Sequence, residues 1–173
     1  MNTPADSLLD TVTRTAINPA LNLLPAAMDS PAARVQMLAV GLQESSFTTR
    51  RQAGNGPARS LWQFEEGSQA KGGGIWGVYQ HDASRFWLKQ LCDARNCPFV
   101  PGSIYARIET DDVLAAGLAR LLIFTDAAPL PALGEVAAAW DLYAKRTWVP
   151  GKPRPVDWPS NYARALHFVR GGA

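Results

Sequence analysis

The stretch Ser30-Pro31-Ala32-Ala33-Arg34-Val35-Gln36-Met37-Leu38-Ala39-Val40-Gly41-Leu42-Gln43-Glu44-Ser45-Ser46-Phe47 decides how this chain is read. Ser30 followed by Pro31 is a helix start: a hydroxyl that can accept from free N–H groups, then a proline at the first helical position, where its missing N–H costs nothing. Val35, Leu38, Ala39 and Leu42 fall at helical spacing and predict a core-facing stripe. Met37 and Val40 supply a second stripe, so a helix over about 31–46 is expected to be covered on most sides. Glu44 follows Val40 by four residues, which carries its carboxyl group onto the same face one turn on. An acid projecting from apolar surroundings at a helix C-terminus is poorly solvated and meets the negative end of the helix dipole. Both effects disfavour ionisation and predict a raised pKa. Position and composition alone favour a plainer reading, a solvated glutamate at a fraying helix end, because most glutamates are exposed.

Towards the N-terminus, residues 3–28 read as a helix through Leu8, Leu9, Val12 and Ile17, interrupted at Pro19 and Pro25. This is a helical arm over 1–28, serving as a packing element or as an attachment to a larger assembly, ahead of the domain over 29–173 that carries Glu44. Towards the C-terminus, Thr48 to Gly77 reads as irregular, with Arg50, Arg51, the turn signal Asn55-Gly56-Pro57 and the run Gly72-Gly73-Gly74. So long a loop in a compact domain is usually functional or disordered, and Trp62, Phe64 and Trp76 within it predict order. Helices are then expected over 84–95 through Phe86, Trp87, Leu88, Leu91 and Cys92, and over 110–125. In the latter, Asp111 and Asp112 suit the N-terminal end and Leu114, Gly117, Leu118, Leu121 and Leu122 form the buried stripe. Pro129 and Pro131 end that unit; further helices follow over 134–145 and, through Tyr162, Leu166 and Val169, over 160–170. No internal repeat and no persuasive alternating run is present, so the fold class is mainly α, with room for a small β element near 62–78.

Composition bounds the function. A chain of 173 residues suits one compact domain, and 47% hydrophobic with 18% charged residues is the balance of a folded globular protein. The net charge of +2 and pI near 8.7 suit an anionic polymer such as cell wall but are too weak to imply nucleic acid. No apolar run approaches the roughly 20 residues that span a bilayer, so no membrane insertion is expected. Met1 to Asp6 lacks a basic start and an adjoining apolar stretch and does not read as a secretory signal. Cys92 and Cys97 could close a small disulfide loop or remain two thiols in a reducing cytoplasm. His81 and His167 are isolated and no metal-ligand spacing is present, so neither metal nor cofactor is expected.

The run Glu44-Ser45-Ser46-Phe47, followed by Ser60-Leu61-Trp62-Gln63, resembles the "E-S-x-F … G-L-M-Q" blocks of the lysozyme-like superfamily, specifically the soluble lytic transglycosylase group. Ser60 stands for the family's glycine and Trp62 for its methionine. Gly117-Leu118-Ala119-Arg120-Leu121 resembles the helix between the two glycan-binding blocks of that family, and Ala137-Ala138-Ala139-Trp140-Asp141 resembles its "A-A-Y-N-A-G" block. With this second block in place, the odds at Glu44 turn from surface charge to general acid. The resemblance implies a single lysozyme-like domain that cuts the β-1,4 bond between N-acetylmuramic acid and N-acetylglucosamine in peptidoglycan. Glu44 would protonate the leaving oxygen and then act as base on the muramoyl 6-hydroxyl, giving a 1,6-anhydro product without a second carboxylate.

The resemblance also implies the binding residues. Ser45 would orient the acid or the substrate, Gln63 would lie in the cleft near the acid, and Trp140 takes the place of a tyrosine that sits close to the catalytic glutamate. Tyr143, three residues on, is a second source of that hydroxyl. Sugar recognition wants flat apolar faces and planar polar groups, which Trp62, Gln63, Trp76, Tyr79, Trp140 and Tyr143 offer. Lys145, Arg146, Trp148, Lys152 and Arg154 form either a basic-aromatic loop suited to anionic peptide stems or a proline-rich solvated connector. A chain of this kind without a signal resembles phage-encoded wall enzymes, virion-associated or made in the host cytoplasm, with virion or tail proteins as further partners. Two other readings remain: a muramidase using Glu65, Glu66, Asp82 or Asp141 as second carboxylate, and a non-catalytic virion wall-binding or assembly protein.

Overall fold

The computed structural model describes residues 4–149 and 151–171, with side chains from Ser7 onward. The first three residues of the expected arm, the last two of the expected catalytic domain and Pro150 of the basic-aromatic loop lie outside the described residues. The structure is mainly helical: α1 (Pro4–Val12), α2 (Asn18–Asn22), α3 (Pro31–Ser45), α4 (Gly74–Gln80), α5 (Asp82–Ala94), α6 (Pro101–Arg107), α7 (Asp112–Phe124), α8 (Val136–Asp141) and α9 (Trp158–Val169). Two π-helical segments, Thr13–Ile17 and Leu142–Thr147, extend α1 and α8. The β element reduces, among the described residues, to isolated bridges, Arg51 with Arg59, Arg59 with Phe64 and Ser68 with Gly72. None of the described helices is long and apolar enough to cross a membrane.

The helix α3 runs through the core. Ser30 caps it, its hydroxyl accepting from the Ala33 amide at 3.2 Å. Every residue from Val35 to Leu42 is buried, as the two apolar stripes require, and the helix packs chiefly on α9. The one long polar side chain in that run, Gln36, donates from Nε2 to the Ala139 carbonyl at 3.0 Å, satisfying the amide nitrogen and fixing α8 against α3. The chain leaves α3 through two left-handed residues, Ser46 (φ 52°) and Phe47 (φ 57°). This reversal folds the Phe47 ring back over Gly41, where a Cβ would lie 2.1 Å from the ring. Phe47 then meets Trp62 edge-on at 5.5 Å.

The N-terminal segment belongs to the same core. Leu9, Ile17 and Ala20 are fully buried, and the π segment packs against α7. Burying a Leu or Ile side chain stabilises by roughly 1.5–3 kcal/mol, against about 0.3–0.5 kcal/mol for an exposed pair such as Arg14–Asp10. Apolar contact therefore holds this segment. Pro19 does not interrupt the helix as its sequence suggests. The π turn ahead of it, closed by the Asn18 amide on the Thr13 carbonyl, widens the backbone where the proline ring would otherwise clash.

The long segment after α3 is ordered by its ends. Arg50 binds Asp112 through two nitrogens (2.9 and 2.5 Å), Arg51 binds Glu109 (2.8 Å), and the Tyr105 hydroxyl donates to the Pro57 carbonyl. Two short helices, α4 and α6, were not expected from the sequence; α4 starts inside the glycine-rich stretch. Gly74 (φ 51°) begins it so close to the chain that a Cβ would sit 2.0 Å from the Glu65 carbonyl oxygen.

Candidate active site

Glu44 lies in the last turn of α3, half-buried, in the wall of a cleft of about 1410 Å³. The wall is completed by the 49–74 segment, by Thr147, Trp148, Val149, Gly151, Lys152 and Arg154, and by the N-terminal end of α9 at Ser160 and Asn161. The Tyr143 hydroxyl donates to Glu44 Oε1 at 2.5 Å. Loss of solvation pushes the Glu44 carboxyl up to about 7; the Tyr143 hydroxyl acts in the opposite direction, and the negative charge of Glu65 adds to the rise. Burial dominates, as the apolar setting predicted. Tyr143 itself is held well above an ordinary phenol by burial, by the charge of Glu44 and by the same hydrogen bond, so it stays a neutral donor.

The second π segment places that hydroxyl. Its wide turn is closed by Thr147 Oγ1 donating to the Leu142 carbonyl (2.6 Å) and by the Trp148 amide donating to the Tyr143 carbonyl (2.9 Å). Tyr143 stacks on Trp158, ring centroids 5.2 Å apart and 5° from parallel, which fixes its plane. Trp140 does not take the place beside Glu44. It sits one turn earlier, half-buried and edge-on to both Tyr143 (5.6 Å) and Trp158 (5.6 Å), outside the cleft lining. Three residues on a helix turn the chain by about 300°, so Trp140 and Tyr143 share a face and Tyr143 is the one that reaches the acid.

Trp62 is likewise corrected. It is fully buried, its indole N–H donates to the Met37 carbonyl at 2.9 Å, and it presents no face to the cleft. Two aromatic residues do line the cleft, Phe64 and Trp148, and the Trp148 indole N–H donates to the Trp62 carbonyl at 3.0 Å. Trp76 and Tyr79 meet edge-on outside the cleft lining, with Tyr79 continuing to Phe99. Gln63 does line the cleft, from a left-handed backbone (φ 50°), but its amide nitrogen is spent on the Ser60 carbonyl at 2.7 Å. Ser45 also lines it, its hydroxyl donating to the Leu61 carbonyl at 2.6 Å and accepting from the Phe47 amide. Ser45 thus ties the end of α3 to the 60–64 turn and positions Glu44 through the backbone.

Of the four carboxylates weighed as partners, only Glu65 shares the cleft with Glu44. Asp141 is paired with Lys145 at 2.6 Å and lies outside the lining; Glu66 and Asp82 lie outside it too. Sequence reasoning missed Gln43 and Asn161, joined at 3.0 Å, which floor the cleft between α3 and α9. They carry no motif, and only the packing of two helices distant in sequence brings them together. No family model, no curated protein and no solved structure matches this chain.

Proposed function

We propose that this chain is a lytic transglycosylase of the peptidoglycan wall, with Glu44 as its acid and base. The observation that carries this reading is a carboxyl group held near pKa 7 by burial, hydrogen-bonded to a neutral tyrosine, in the wall of a cleft of about 1410 Å³. Such a group is protonated in a large fraction of molecules at neutral pH, as proton delivery to a poor leaving group requires. Glu44 gives its proton to the glycosidic oxygen as the bond to the muramoyl C1 breaks. The Tyr143 hydroxyl then stabilises the carboxylate left behind. The muramoyl 6-hydroxyl attacks C1 and returns its proton to Glu44, closing the 1,6-anhydro ring. The resemblance of Glu44-Ser45-Ser46-Phe47 and Ser60-Leu61-Trp62-Gln63 to the transglycosylase blocks supports the same assignment.

Glu65 favours one second reading, a muramidase in which this carboxylate activates water across the cleft. Mass spectrometry of products from purified sacculi separates the two. Anhydro-muramoyl ends are expected, and Glu44→Gln should lower their formation at least about a hundredfold in a folded protein. Reducing ends that disappear in Glu65→Gln would make this chain a hydrolase. A folded Glu44→Gln protein that still clears sacculi would remove Glu44 from the chemistry altogether.

A further inference from the structure

The chain has four lysines, and they divide into two kinds. Lys89 and Lys145 each lie one helical turn from a carboxylate and are paired with it, Lys89 with Asp93 and Lys145 with Asp141, both at 2.6 Å. Lys71 and Lys152 are exposed, line the cleft, and make no ion pair among the described residues. They arrive from separate segments. Lys71 is in the turn bridged by Ser68 and Gly72, with its amide on the Ser68 hydroxyl; Lys152 follows the second π segment. The two segments meet, since a Cβ on Gly73 would stand 3.8 Å from the Val149 carbonyl oxygen. Arg154, the third cation of the lining, is already bound to Asp157 at 3.0 Å.

Resting on the function proposed above, we infer that Lys71 and Lys152 form an anion-recognition rim that selects glycan strands by the carboxylates of their peptide stems. Two exposed ammonium groups that line one cleft without a carboxylate partner among the described residues are available to an anionic ligand, and a glycan backbone of neutral sugars supplies no anion. The free carboxylates of the stem do. Lys145 and Arg146, the other cations of the expected basic-aromatic loop, are engaged with Asp141 and Asp126 and take no part. The rim is solvent-exposed, so each contact is of the modest size of a surface ion pair and is screened by salt.

Co-sedimentation with purified sacculi measures this without requiring cleavage. Untreated sacculi are compared with sacculi whose carboxylates have been converted to amides by carbodiimide and ammonia. The wild-type protein should bind the untreated wall more tightly, by about tenfold at low salt. Lys71→Ala with Lys152→Ala should bring the ratio close to one, each single change should reduce it about threefold, and Lys71→Arg with Lys152→Arg should keep it. Equal binding of both walls by the wild type, or an unchanged ratio in the double alanine variant, overturns the rim. Discriminating binding without any cleavage by the wild type would retain the rim and refute the transglycosylase. Cleavage without discrimination would do the reverse.

Discussion

The two π-helical segments use one backbone device for different ends. In Thr13–Ile17 the wide turn precedes Pro19, and its Ala16 and Ile17 are buried against α7. In Leu142–Thr147 the turn is closed by the Thr147 hydroxyl, and its second residue is Tyr143, bonded to Glu44. A π turn has poorer hydrogen bonding than an α turn and persists where it accommodates or presents something. The first accommodates a ring that lacks an N–H. The second presents a hydroxyl to an acid.

The largest difference expected between the two is electrostatic. Glu44 has a folded pKa near 7 against 4.5 for a free glutamate. Below the unfolded pKa both states are protonated and the group has no effect. As pH rises from 4.5 through 7 the folded state is progressively destabilised relative to the unfolded, by up to about 3 kcal/mol at the plateau. Glu44→Gln removes that titration, so chemical denaturation should find it more stable than wild type at pH 8 and nearly equal at pH 4. A variant equally or less stable at pH 8 would mean that the acid is solvated.

A smaller effect is expected from Tyr143→Phe. Removing the hydroxyl takes away a bond to the carboxylate worth roughly 1.5 kcal/mol, so cleavage should fall about tenfold. The same bond lowers the Glu44 pKa, so its loss should raise it. Because the acid works when protonated, the alkaline limb of the pH–activity profile should move to higher pH. An unmoved limb would separate Tyr143 from the titration of Glu44.

The smallest effect is expected at the first π segment. Pro19→Ala restores a backbone donor but also frees the unfolded chain, and the two changes oppose each other within about 1 kcal/mol. Thermal denaturation should show a shift of a few degrees at most, with cleavage of sacculi unchanged. A marked loss of cleavage would show that the two π segments are coupled through α7 after all.

What could be read in the chain followed the strength of local signals. The Ser30-Pro31 start, the doubly apolar α3 and the acidic start of α7 at Asp111 and Asp112 are dictated within a few residues, and the structure shows each. The first π segment had a marker in Pro19, although the marker suggested a break where the helix continues. The second had none. Trp62 and Trp140 looked like sugar platforms because a tryptophan in sequence does not say which way its ring faces; packing on Met37 and Trp158 took both out of the cleft.

The sequence by itself determined the longer helices, though not α4 and α6, together with the mainly α class and a glutamate at the end of a buried helix, because propensity, capping and apolar period act over one or two turns. Only the tertiary structure decided that Tyr143 rather than Trp140 meets Glu44, that Glu65 shares the cleft while Asp141 turns away, and that Lys71 and Lys152 line the same cleft. Those choices depend on the relative placement of segments some 20 to 100 residues apart. The register of that packing is set by the whole core at once.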